Sequence, residues 1–154
     1  MLTFALMFGG ASAAMAGVLD SASVGITYTV DKVNSLEIED PNMDFQITGG
    51  SAESGALSAT ATNYYSVTTN ITGAKITARI SGTGLDSGLT LWVDPEPPGV
   101  GTGIKTTLTT TDKNIVTGIS QVSKTHNRML FTLNADVNVT PQFGNNTIVF
   151  TLTD

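Results

Sequence analysis

The sequence predicts an all-β protein, two antiparallel sheets packed face to face, and three observations carry that expectation. Apolar and polar residues alternate with a period of two along most of the chain after residue 22, the pattern of strands with one buried face. Turn-forming Gly, Asn, Asp and Pro separate the alternating runs at short intervals. Threonine is the most frequent residue, at roughly one in six, whereas Lys, Arg and Glu, which fill exposed helix faces, are scarce. The branched Cβ of threonine stiffens χ1 and suits a pleated surface.

The first strand is expected over residues 23–30, with Val24, Ile26, Tyr28 and Val30 on one face and Ser23, Gly25, Thr27 and Thr29 on the other. Leu36 and Ile38 oppose Glu37 and Glu39 in the second. Met43, Phe45 and Ile47 alternate with Asp44, Gln46 and Thr48 in the third. Leu57, Ala59 and Ala61 mark a fourth; Tyr65, Val67, Thr69 and Ile71 a fifth; Ile76, Ala78 and Ile80 a sixth. Leu89, Leu91 and Val93 follow, then Ile104, Thr106 and Leu108, then residues 115–119. The longest alternation covers residues 128–139, from Met129 and Phe131 to Val137 and Val139, and Ile148, Phe150 and Leu152 end the series. Turns are expected at residues 40–42, Gly49-Gly50, Thr72-Gly73, 82–88, 95–103, 111–114 and Gly144-Asn145. No helix-period segment follows residue 19. This spacing fits an antiparallel immunoglobulin-like β-sandwich of about eight to ten strands, with a closed barrel as the alternative. A chain of 154 residues holds one such domain, residues 23–154, and is short for two.

Residues 1–19 are a different material, without a single charge. A short apolar run from Leu2 to Phe8 passes into the small residues of Gly9–Gly17, the pattern of an export signal cut after Ala16 or, as second choice, after Ala13. Residues 1–16 are therefore expected to be a signal peptide and residues 17–22 a flexible lead-in. The alternative is a retained apolar assembly helix, which Gly9 and Gly10 would weaken and which is short for a membrane span. Either reading places the rest of the chain outside the cell, on a surface or in a filament, with no membrane span in the mature form.

The chemistry-bearing residues point away from catalysis. A net charge of −6 and seven scattered Lys and Arg offer no track for nucleic acid. The absence of Cys removes disulfides, thiol nucleophiles and Cys-based metal sites. His126, the only His, sits in the polar stretch 123–128, expected to be a hairpin loop, and no Gly-x-Ser-x-Gly elbow occurs. Glu37, Glu39 and Asp44 fall on the polar face of their strands, as solubilising groups. Asp86, Asp94 and Glu96 lack the rhythm of a calcium loop. No catalytic, cofactor-binding or metal-ligating residue is expected, and the protein is read as not an enzyme, with no cofactor. Asn70, Asn138 and Asn145 each begin an Asn-x-Thr triplet open to glycosylation. Trp92 faces away from Leu91 and Val93, so it either packs under residues 95–99 or serves as a surface contact.

An alternating apolar strand behind a flexible lead-in has two uses: it pairs within its own domain, or it enters a neighbouring subunit and completes that subunit's sheet. Residues 65–70, 75–78, 114–119 and the run Thr147-Ile148-Val149-Phe150-Thr151-Leu152-Thr153-Asp154 resemble small exported bacterial β-sandwich surface proteins, similar in style to fimbrial subunits and spore-coat-like proteins. The resemblance implies an immunoglobulin-like fold and a surface or fibre role. The expected function is thus a structural subunit of a pilus-like filament or surface layer, a homopolymer joined by donor-strand exchange through Val24, Ile26, Tyr28 and Val30. The alternative is a monomeric secreted module binding carbohydrate or a surface partner through Trp92 and residues 95–103.

Overall fold

The computed structural model describes residues 22–48 and 57–154. The expected signal segment 1–16, most of the lead-in 17–22 and the Gly49-Gly50 turn lie outside the described residues. Among these, every regular element is a strand and there is no helix: β1 Asn34–Ile38, β2 Leu57–Ile80, β3 Leu89–Pro95, β4 Thr102–Gly103, β5 Thr106–Leu108, β6 Lys113–Ala135 and β7 Ile148–Thr153. All pairings are antiparallel. The order is β1-β2-β6-β3-β5, with β4 added to β6 and β7 to β2. The chain divides into two units, Met1–Val30 and Asp31–Asp154, and all seven strands belong to the second.

The two long strands, β2 and β6, set the architecture. They pair from Leu57↔Ala135 to Ala78↔Lys113, and a straight ribbon of 24 residues would reach about 80 Å, far more than a core of this size. The ribbon instead bends at repeated register shifts between Tyr65 and Thr77. Gly73 and Gly118 supply left-handed backbone in this stretch at no steric cost, while Gln121 and His126 adopt it as non-glycine residues. Asn127 holds one bulge together, its buried side-chain amide donating to the carbonyls of Tyr65 at 3.0 Å and Lys124 at 3.3 Å.

Both ends of the ribbon turn their apolar faces to one core. Tyr65 and Val67 come from the first half of β2, Ala74, Ile76 and Ile80 from the second; Ile115 and Ile119 come from the first half of β6, Met129 and Phe131 from the second. Phe131 is registered with Ala61, and Phe150 of β7 with Ala78, near opposite ends of β2. Yet the two rings meet edge to face, 6.5 Å apart at 81°. The ribbon therefore folds over so that its ends face each other across the core.

Several expectations need correction. Residues 23–30 and 43–47, both expected as strands, carry none. Among the described residues seven strands stand where eight to ten were expected: three expected strands merge into β2 and two into β6, two form none, and the region of the expected strand at 104–108 holds the short β4 and β5. The expected turn at Thr72-Gly73 and the expected hairpin loop at 123–128 are bulges inside those long strands. Gly and polar residues signal a turn and a bulge alike, and only cross-strand pairing tells them apart. β6 ends at Ala135, not at Val139: Asp136 Oδ1 accepts from the Asn138 backbone N–H at 3.0 Å, closing a turn that leaves Val137 exposed.

Candidate functional site

Three places on the surface bring together groups able to act. The first is the segment Val24–Val30, taken by itself. Its four alternating apolar side chains, Val24, Ile26, Tyr28 and Val30, are 75–88% exposed, and no strand forms over them. Isolated exposed apolar residues are ordinary, but four in strict alternation form one oily edge on an extended segment. They bring no titratable partner or nucleophile with them. The arrangement can do one thing well, which is to add as a strand to a sheet that lacks one.

The second place is the outer face of β3. Trp92 is half-buried there, in a cross-strand row between Thr107 of β5 and Thr132 of β6. Trp92, Lys105, Thr132 and Asn134 line a shallow cleft of about 320 Å³. A flat aromatic face beside hydroxyl, amide and ammonium groups can stack on a sugar ring and hydrogen-bond its edge. Residues 95–99, expected as a possible cover for Trp92, do not line this cleft.

The third place was not legible in the sequence. His126, on the bulge of β6, stacks on Tyr64 with ring centroids 3.8 Å apart, and its Nδ1 lies 2.9 Å from Glu39 Oε2. Ser66 Oγ accepts from the His126 backbone N–H at 3.4 Å and donates to Glu39 Oε1 at 3.5 Å. A serine hydrolase needs the hydroxyl on the imidazole nitrogen opposite the carboxylate. Here the hydroxyl contacts the carboxylate and the backbone, so the geometry is that of a solvated strand-to-strand tie. The register of β2 on β6, with Tyr64 opposite Arg128, and the pairing of β1 on β2, continued by the Glu39 backbone N–H donating to the Tyr64 carbonyl at 2.9 Å, bring these residues together. Among the described residues no group of three or more His, Cys, Asp or Glu is placed to hold a metal ion.

The polar ties of the strand unit are mostly exposed. Lys32–Asp154 at 2.7 Å, Arg79–Asp112 at 3.4 Å and Arg128–Glu96 at 2.8 Å are surface pairs, which contribute little to stability. The hydrogen bond from Lys32 holds the Asp154 carboxyl below its usual range. Tyr65 is the exception, buried in the core with its hydroxyl donating to the Glu96 carbonyl at 2.6 Å. Burial, and secondarily the charge of Glu96, push its phenol well above the ordinary value near 10. Because the folded value is the higher one, this contribution to stability is complete below about pH 10 and is lost as pH climbs beyond it. Tyr65→Phe is expected to cost about 1 kcal/mol at neutral pH and to flatten the fall in stability above pH 10, as measured by urea unfolding across pH.

No protein-family model matches the chain, and no curated protein matches it.

Proposed function

We propose that the protein is an exported structural subunit, an immunoglobulin-like sandwich that polymerises into a filament or surface layer by giving its N-terminal strand to the next copy. The observation that carries this reading is the exposed alternating edge Val24, Ile26, Tyr28 and Val30, an extended segment without strand partners, preceding a unit that holds its own core. Burying four such side chains is worth about 1.5–3 kcal/mol each, enough to drive association once the segment finds a sheet edge. A head-to-tail contact of this kind does not close on itself, so it builds an open chain of copies. The uncharged apolar run at residues 1–19 supports export, with residues 1–16 removed as a signal. Sedimentation of the full mature chain over a range of concentrations tests the reading: a ladder of polymers is expected, and a single monomeric species throughout would overturn it.

A second reading rests on the Trp92 cleft. A monomeric binding module would use Trp92, Lys105, Thr132 and Asn134 to hold a sugar. Quenching of the single tryptophan by oligosaccharides, in a protein that stays monomeric, would favour it.

A further inference from the structure

Resting on the strand-exchange reading, we infer that the acceptor in each copy is the free edge of β7, and that it takes residues 24–30 of a second copy. Among the described residues β7 pairs only with β2, through Lys75↔Thr153 to Ile80↔Ile148, so its other edge offers backbone groups unpaired by any described strand along six residues. Its inward side chains Ile148, Phe150 and Leu152 pack on the core yet remain only half-buried. Val93 of β3, Phe131 of β6 and Leu108 of β5, which share that core, are by contrast nearly inaccessible, at 0–3% exposure. Ile148, Phe150 and Leu152 thus keep apolar surface that a further strand on this edge would cover.

A further feature marks the same strand. Thr153 Oγ1, at the end of β7, is buried and without a hydrogen-bond partner among the described residues, an arrangement a further strand could relieve.

The occupant is matched in period and length. Val24, Ile26, Tyr28 and Val30 repeat every second residue, as do Ile148, Phe150 and Leu152, so paired strands would turn both sets to the core. Connectivity favours another copy over the chain's own segment. Lys32 is tied to Asp154 at 2.7 Å, so the chain enters the strand unit beside the C-terminal end of β7. From that point its own residues 24–30 could follow β7 only in parallel, whereas a second copy can run antiparallel, the more stable pairing.

The chain has no cysteine, which makes a cross-linking test clean. Donor variants Ser23→Cys, Thr27→Cys and Thr29→Cys, all on the polar face of the segment, are each mixed with the acceptor variant Thr151→Cys, exposed on β7, and separately with Thr107→Cys on β5. Adjacent strands bring Cβ atoms within disulfide reach at one register. At least one donor is expected to give tenfold more cross-linked dimer with Thr151→Cys than with Thr107→Cys. Polymers that cross-link through Thr107→Cys, or through neither, overturn the β7 assignment and leave strand exchange standing. A disulfide closed within one chain of a Thr27→Cys/Thr151→Cys double variant overturns the intermolecular assignment, and proteins that never polymerise overturn both readings.

Discussion

Phe131→Ala is expected to lower the unfolding free energy by about 3–5 kcal/mol, the largest loss from any single change in the strand unit. Phe131 is fully buried at the centre of the paired strands β2, β6 and β3, and its ring meets the edge of Phe150 across the core. Removing it deletes the contact that joins the two ends of the folded-over ribbon and leaves a cavity beneath Ala61 and Val93. Small domains hold only about 5–15 kcal/mol in reserve, so the variant should unfold at a much lower urea midpoint. A midpoint close to that of the parent protein would mean the core does not depend on this contact.

The second large effect concerns assembly and should leave stability untouched. Ile26→Asp together with Tyr28→Asp replaces two of the four side chains on the exposed apolar edge. In the assembled state this forfeits about 3–6 kcal/mol of burial and asks two carboxylates to enter an apolar site, so polymerisation should weaken by roughly 100-fold or more. Both positions lie in the unit Met1–Val30, outside the strand unit that supplies the core, so the thermal midpoint of the dispersed protein should not move. Polymers of undiminished length from this variant would remove Val24–Val30 as the connecting strand.

The all-β class was legible because side-chain alternation is a local signal: Ile76, Ala78 and Ile80, or Leu91 and Val93, point inward wherever their strand is placed. Strand number was not, because merging is decided by cross-strand pairing. Gly73 reads as a chain break, yet its left-handed backbone, like that of Gly118 within the expected strand 115–119, lets β2 and β6 bend and continue. Met43, Phe45 and Ile47 alternate with polar residues and are half-buried without forming the expected strand, because periodicity cannot say whether a partner backbone lies alongside. Trp92 was legible as an outward side chain on β3, while the neighbours that shape its cleft, Lys105, Thr132 and Asn134, come from residues far apart in the chain. The tie of Glu39 to His126 spans 87 positions and depends on a bulge, so no local pattern could have revealed it.

Amide hydrogen exchange over residues 24–30, compared between dispersed and assembled protein, tests the central proposal most directly. In the dispersed protein these amides should exchange at rates close to those of an unstructured peptide, since no strand pairing holds them. On assembly, alternate amides of Val24–Val30 should become protected to the level of β2 and β6, as donors to a neighbouring sheet. Assemblies in which these amides remain as open as before would contradict the account, whatever their size or form.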